Sequence, residues 1–309
     1  MAALTAKDYR TEVHNNWCPG CGDFGILRAI QQALAELQVP PHKVAVFSGI
    51  GCAGKTPHYI RAYGFHTLHG RVLPVATGAR LANKDLTVIA LGGDGDGYGI
   101  GAGYFVNAGR RNLDFTYLVF NNGVYGLTKG QASPTLPKGA KARSMPTPTI
   151  QDGINPIALA VASGYTFIAR GFALDVRNLA ELIAQAIQHR GTAFIDILQT
   201  CPTYNDLWTK EWYEQEMNGR KRIYQLSETG YDALVRDPEN GEEVVAKKVQ
   251  AVAKSYEWGD RIPVGVLYKI DLPTYEDQLA AMMPYLAETS LVEADLFHRD
   301  VAPLLEQLR

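Results

Sequence analysis

Three observations in this 309-residue chain predict an α/β fold, a mostly parallel sheet with helices on both faces. Short apolar runs rich in Val, Ile, Phe and Tyr alternate with segments of helical periodicity, the pattern of βαβ units. Glycine-rich or Asn-Gly turns follow two of those runs directly, and in open α/β sheets ligands bind outside the strand ends. The length suffices for one large domain plus an extension and for a sizeable core.

Taken in order, Phe24, Leu27, Ile30, Leu34 and Leu37 recur at helical spacing behind Asp23, which is expected to cap the helix, and Pro40-Pro41 end it. KVAVFSG (43–49) reads as a buried strand. LTVIAL (86–91) runs into GGDGDGYGIG, and FTYLVF (115–120) runs into Asn121-Asn122-Gly123. YTFIA (165–169) and AFIDIL (193–198) flank a helix capped by Asp175. Residues 128–150, rich in Lys, Pro, Gly and Thr and without an aromatic residue, read as a long mobile loop. After Cys201 the pattern changes to the charged, aromatic EWYEQEMNGRKRIYQL. A helix over 243–257, a strand at VGVLY (264–268) and closing helices are then expected. The domains predicted are a core, 1–202, and an extension, 203–309, packed on the core or on a partner.

Lys and Arg total 30 against 32 Asp and Glu, so there is no basic footprint for nucleic acid and no basic tract for an anionic membrane. No apolar run has the length of a membrane span and MAALTAKDYR lacks a signal-peptide core, so a soluble, cytoplasmic protein is expected. The four cysteines, Cys18, Cys21, Cys52 and Cys201, read better as a ligand set than as two bridges.

Gly93-Asp94-Gly95 is followed, after 25 intervening residues, by Asn121-Asn122. Glycines let backbone N–H groups approach phosphate oxygens. A carboxylate at one strand end and an amide at the next suit Mg²⁺, which favours oxygen ligands. Taken separately, the halves are an ordinary glycine-rich turn and an Asn-Gly turn. Asp96 either supports the same site or faces solvent.

Cys18-Pro-Gly-Cys21 precedes a helix. By itself it suits a redox dithiol, half a zinc site or half an iron–sulfur site. The thioredoxin-like version is weak because no clear strand precedes Trp17. Cys52 and Cys201 each follow a strand and belong on the sheet edge that carries Asp94. Four thiolates suit tetrahedral zinc or a cubane cluster. One C-x-x-C with two distant single cysteines is more natural around the larger cluster, and four unrelated buried cysteines is the remaining alternative.

The motifs WCPGCG (17–22), GIGCAGK (49–55), HTLHGR (66–71), GGDGDGYGIG (92–101), NNGVYGLTKGQ (121–131) and TCPTYN (200–205) occur in one order. Together they resemble the beta subunit of archaeal and bacterial 2-oxoacid:ferredoxin oxidoreductases over nearly the whole chain. The resemblance implies a thiamine-diphosphate-binding fold of the diphosphate-binding type. It implies Mg²⁺ on Asp94, Asn122 and the carbonyl of Val124, and one 4Fe–4S cluster on Cys18, Cys21, Cys52 and Cys201. It further implies cofactor contacts from Ile50, Gly51, Cys52, Ala53, His69, Gly93, Gly95, Asp96, Gly126 and Leu127; His69 also suits a core histidine. With no further cysteines, a second, ferredoxin-like cluster module is not expected.

The activity so implied is coenzyme A-dependent oxidative decarboxylation of a 2-oxoacid to acyl-CoA and CO₂, with electrons leaving through the cluster to ferredoxin, or the reverse carboxylation. No residues remain for a pyrimidine-binding domain, so a partner alpha subunit is expected to supply the glutamate that activates the aminopyrimidine. Lys55 and Leu127 are candidates for the substrate pocket. A lysine there favours the distal carboxylate of 2-oxoglutarate over pyruvate, whereas Lys55 equally suits balancing a negative cluster or facing solvent. The basic 128–150 loop is a candidate gate for coenzyme A. Two other classes share parts of the pattern: a cluster-free thiamine decarboxylase or transketolase-like subunit, and a non-catalytic zinc or electron-carrier module.

Overall fold

The structure, a computed structural model, describes residues 3–295, 298 and 300–306. Its strands in chain order are β1 (Val44–Ser48), β2 (Tyr63–His66), β3 (Thr87–Gly93), β4 (Phe115–Asn121), β5 (Val124–Tyr125), β6 (Gln131–Ala132), β7 (Phe167–Phe172), β8 (Thr192–Leu198), β9 (Glu216–Met217), β10 (Arg220–Lys221), β11 (Ile223–Gln225) and β12 (Ile262–Lys269). Eight form one sheet in the order β11-β12-β7-β8-β4-β3-β1-β2. Every pairing in it is parallel except β12 with β7. The helices are α1 (Asp23–Glu36), α2 (Thr56–Tyr59), α3 (Val72–Ala82), α4 (Ala102–Arg111), α5 (Pro156–Ser163), α6 (Val176–Gln188), α7 (Lys210–Glu214), α8 (Gly241–Ser255), α9 (Tyr275–Met282), α10 (Tyr285–Glu288) and α11 (Ala302–Glu306).

The central strands read as unbroken apolar runs because both sheet faces are covered. Successive side chains point to opposite faces. Val44 and Val46 of β1, Ile89 and Leu91 of β3, and Leu118 and Phe120 of β4 therefore join α1 and α6 in one core. Ala45 and Phe47, Val88 and Ala90, and Tyr117 and Val119 join α3, α4, α5 and α8 in the other. Each fully buried large side chain contributes roughly 1.5–3 kcal/mol, so the sheet is a rigid platform for the loops on its carboxyl edge.

Structure and expectation differ at three places, the start of α1, the 128–150 loop and the strand β2. Asp23 is the first residue of α1 and caps nothing; Gly22 holds the cap position. The cause is packing: Gly22 N–H donates to the Thr200 carbonyl at 3.2 Å, and a Cβ at Gly22 would stand 2.6 Å from that of Gln199. The 128–150 loop is anchored at Ser133, Leu136 and Ala142, which are buried, while most of its other residues are exposed. The segment after residue 203 packs on the core: β11 and β12 extend the main sheet and α8 packs on α5. The strand β2 went unforeseen because all four of its residues are exposed on the sheet edge and show no buried pattern. Residues 296, 297, 299 and 307–309 of the expected closing helices lie outside the described residues. Among those described, no helix is long and apolar enough to cross a membrane.

Candidate cofactor and cluster site

The parallel register puts the loops after β1, β2, β3, β4 and β8 on one edge, and Asp96 ties three of them together. Asp96 is buried, so it does not face solvent. Its Oδ1 accepts from Ile50 N–H at 2.9 Å and Gly70 N–H at 2.8 Å, and lies 2.7 Å from His69 Nδ1. Room for its carboxylate is made by glycine: a Cβ at Gly49 would fall 1.9 Å from Oδ2, and one at Gly92 2.8 Å. The Gly95–Ile100 segment that carries it is a π-helical turn, a distortion often found at functional sites.

Asp94, at the tip of β3, is also buried. Its Oδ2 accepts from Gly123 N–H at 3.0 Å, from Thr135 Oγ1 at 2.6 Å and from Ser133 Oγ. Burial pushes its carboxyl above the usual range, and these donors offset that in part. Asn122 Oδ1 accepts from Val124 N–H at 3.0 Å, and Asn205 Nδ2 donates to the Asn122 carbonyl at 2.7 Å. Gly123, between them, has φ +75°, and a side chain there would meet the Trp208 ring at 2.5 Å. Asp94, Asn122 and Val124 line one cavity of about 100 Å³ with Ile50, Gly51, Cys52, Ala53, His69, Gly93, Gly95, Asp96, Gly126 and Leu127. His69 is half-exposed at this cavity and not a core residue. Lys55 is not brought to its wall; the ammonium donates to Asn16 Oδ1 at 3.0 Å.

All four cysteines are free thiols. Trp17 Nε1 donates to the Cys52 carbonyl at 2.8 Å, which ties the C-P-G-C turn to the loop after β1. The sulfurs of Cys52 and Cys201 lie 3.6 and 3.7 Å from the point where a Cβ at Gly126 would stand. Burial first, then the carboxylate of Asp23, pushes the Cys21 thiol far up. The same two causes raise Cys52 to about 11, with Lys55 opposing them, and burial raises Cys201. Among the described residues, no three His, Cys, Asp or Glu side chains stand close enough to enclose a single metal ion. Asp23, behind the thiols, is raised to about 7 by burial, with Gln199, Cys21 and Lys55 opposing the rise.

Sequence reasoning missed the supports of this site. Ser133 and Thr135 lie in a segment whose composition says only loop. Tyr125 donates to the Gly95 carbonyl at 3.2 Å and occupies the space a Gly95 side chain would need. Gln199 lines the cavity directly after β8. A signal existed for Asn205, which belongs to the quoted TCPTYN, but no spacing rule assigns it to Asn122.

Fold and edge together define the cofactor-binding half of a thiamine enzyme. Residues 44–197 match the thiamine pyrophosphate enzyme C-terminal TPP-binding domain, and residues 201–283 match the C-terminal region of the pyruvate ferredoxin oxidoreductase beta subunit. The chain is 55% identical over 303 residues to a 2-oxoacid:ferredoxin oxidoreductase subunit beta of Sulfolobus sp, covering 96% of this chain and 94% of that one. It is 57% identical to the subunit beta of Saccharolobus solfataricus, with 87% of each covered. Its structure superposes with a TM-score of 0.86 on 2-oxoglutarate:ferredoxin oxidoreductase from Magnetococcus marinus with 2-oxoglutarate, coenzyme A and succinyl-CoA bound. That match is 35% identical and covers 100% of this chain and 97% of the other. The chain belongs to the beta subunits of the 2-oxoacid:ferredoxin oxidoreductases, and thus works as one subunit of a larger enzyme.

Proposed function

We propose that this chain, with an alpha subunit, catalyses coenzyme A-dependent oxidative decarboxylation of a 2-oxoacid, with 2-oxoglutarate favoured and pyruvate admitted, or the reverse carboxylation. Thiamine diphosphate, when bound, supplies the electron sink for decarboxylation, and a 4Fe–4S cluster supplies one-electron transfer towards ferredoxin. The observation that carries the reading is the convergence of Asp94, Asn122 and Val124 with Cys52 on one cavity. Asp94, Asn122 and the Val124 carbonyl would hold Mg²⁺, and the glycine-rich rim leaves the backbone open to the diphosphate. Cys18, Cys21, Cys52 and Cys201 would hold the cluster. Three of these thiols resist ionisation by themselves, so a cationic iron centre is what would hold them as thiolates.

The cavity of about 100 Å³ falls below the roughly 300–1,000 Å³ of complete small-molecule sites. That supports an active site finished by the alpha subunit, including the carboxylate for the aminopyrimidine. The preference for 2-oxoglutarate is supported by the named substrate of the Magnetococcus enzyme; Leu127 lines the cavity, and Lys55, which does not, would reach a substrate only by leaving Asn16.

The test is anaerobic purification of the alpha–beta complex with iron and thiamine quantitation. About four irons per beta chain and a brown colour are expected for one cubane cluster. Asp94→Ala should lose thiamine diphosphate and keep the colour. Retention of cofactor and activity by that variant would remove the Asp94–Asn122 assignment.

A further inference from the structure

The 128–150 loop reaches under the magnesium motif. Strand β5 continues from Asn121-Asn122-Gly123 and pairs antiparallel with β6, matching Val124 with Ala132 and Tyr125 with Gln131. The next residue, Ser133, donates its N–H to the Gly123 carbonyl at 3.1 Å. On the far side, Ile154 N–H donates to the Pro134 carbonyl at 2.7 Å. Ser133 and Thr135 are thereby fixed with both hydroxyls on Asp94 Oδ2, beside Gly123 N–H. Thr135 has one hydroxyl proton and three possible acceptors in reach, Asp94 Oδ2 at 2.6 Å, Asn121 Oδ1 at 2.8 Å and Ser133 Oγ at 3.1 Å. The shortest, charge-assisted contact takes it.

Three donors thus crowd one carboxylate oxygen, and none of the three is on Oδ1. A carboxylate so held cannot rotate, and it presents a metal with one oxygen. We infer that Ser133 and Thr135 are positioning residues that fix Asp94 as a one-oxygen ligand of the magnesium diphosphate, making the 128–150 loop part of the cofactor site. The inference rests on the magnesium reading of Asp94 proposed above.

The experiment measures the dissociation constants of Mg²⁺ and thiamine diphosphate for the anaerobic alpha–beta complex, by equilibrium dialysis with thiamine quantitation. Partners of a metal-bound carboxylate are worth about 10–100-fold in metal affinity. Ser133→Ala/Thr135→Val should therefore weaken Mg²⁺-dependent retention of thiamine diphosphate by about that factor, with iron per chain unchanged. Thr135→Ser, which keeps the hydroxyl, should bind within about twofold of the wild type, whereas Thr135→Val alone should lose about tenfold. If the double variant fails to assemble, the Thr135→Val and Thr135→Ser pair decides. Equal retention by Thr135→Val and Thr135→Ser would overturn the inference. Asp94→Asn separates the two levels. If it loses the cofactor while Thr135→Val does not, the positioning role alone fails, and if Asp94→Asn retains the cofactor, the magnesium reading fails with it.

Discussion

Replacing Asp96 by alanine should both destabilise the fold and empty the cofactor site, because one oxygen joins three loops. The donors that lose their acceptor are Gly70 N–H, Ile50 N–H and His69 Nδ1. An orphaned buried donor costs about 1–3 kcal/mol. Gly70 is buried and bears the full cost; Ile50 is half-buried and bears part; His69 reaches water and bears little. The total is about 2–4 kcal/mol. At roughly 2 °C per kcal/mol for a domain of this size, the apparent Tm should fall by about 4–8 °C at a fixed scan rate. Asp96→Asn, which keeps an acceptor oxygen without the charge, should fall between the two. Thiamine retention, read on the same samples, should drop in both, since Ile50 and His69 line the cavity. An Asp96→Ala protein with a Tm within about 1 °C of the wild type and its thiamine retained would refute the view that Asp96 joins these loops.

Cys201→Ala should bleach the brown absorbance near about 400 nm and lower the iron content; four thiolates on zinc without iron would overturn the cluster. Lys55→Ile should raise KM for 2-oxoglutarate far more than for pyruvate, by about tenfold for a lost charge-assisted contact. Equal effects would leave Lys55 to its bond with Asn16 and its field at Cys52. His189, buried with Nε2 2.8 Å from Thr166 Oγ1, is lowered by burial to about 4. The unfolded chain, with its histidine near 6.5, then binds more protons than the fold between those values, so stability is present above about pH 6.5 and is lost as pH falls towards 4. The loss approaches about 3 kcal/mol. The Tm advantage of the wild type over His189→Gln should therefore shrink from pH 7 to pH 4.5; a constant difference would exclude His189 as the cause.

The parallel sheet was legible because both faces are buried, which makes strands such as Phe115–Asn121 continuous apolar runs ending in recognisable turns. Asp94 and Asn122 were legible for the same reason: a fixed strand places a fixed residue at its tip. Edge strand β2 was not, since nothing buries Tyr63 or Phe65 and no alternation results. Asp23 shows the limit of a local rule. Asp before an apolar helix suggests a cap, but the cap position is set by Gly22 pressed on Gln199, a contact between residues distant in sequence. Ser133 and Thr135 fail for the same cause, because their partner lies about forty residues away on another strand.

Gly126 links the two halves of the site. Its φ is not among the positive ones, so backbone conformation does not require glycine there, as it does at Gly51 or Gly123. Space does not require it either in the thiol form. The missing side chain would stand against the sulfurs of Cys52 and Cys201, at ordinary contact distance in this thiol form. Cys52 and Gly126 also line the cavity assigned to the cofactor. One loop residue therefore presents its sulfur to the thiol set and its surface to the cavity, so the proposed electron donor and acceptor sites share a wall rather than a path through the core.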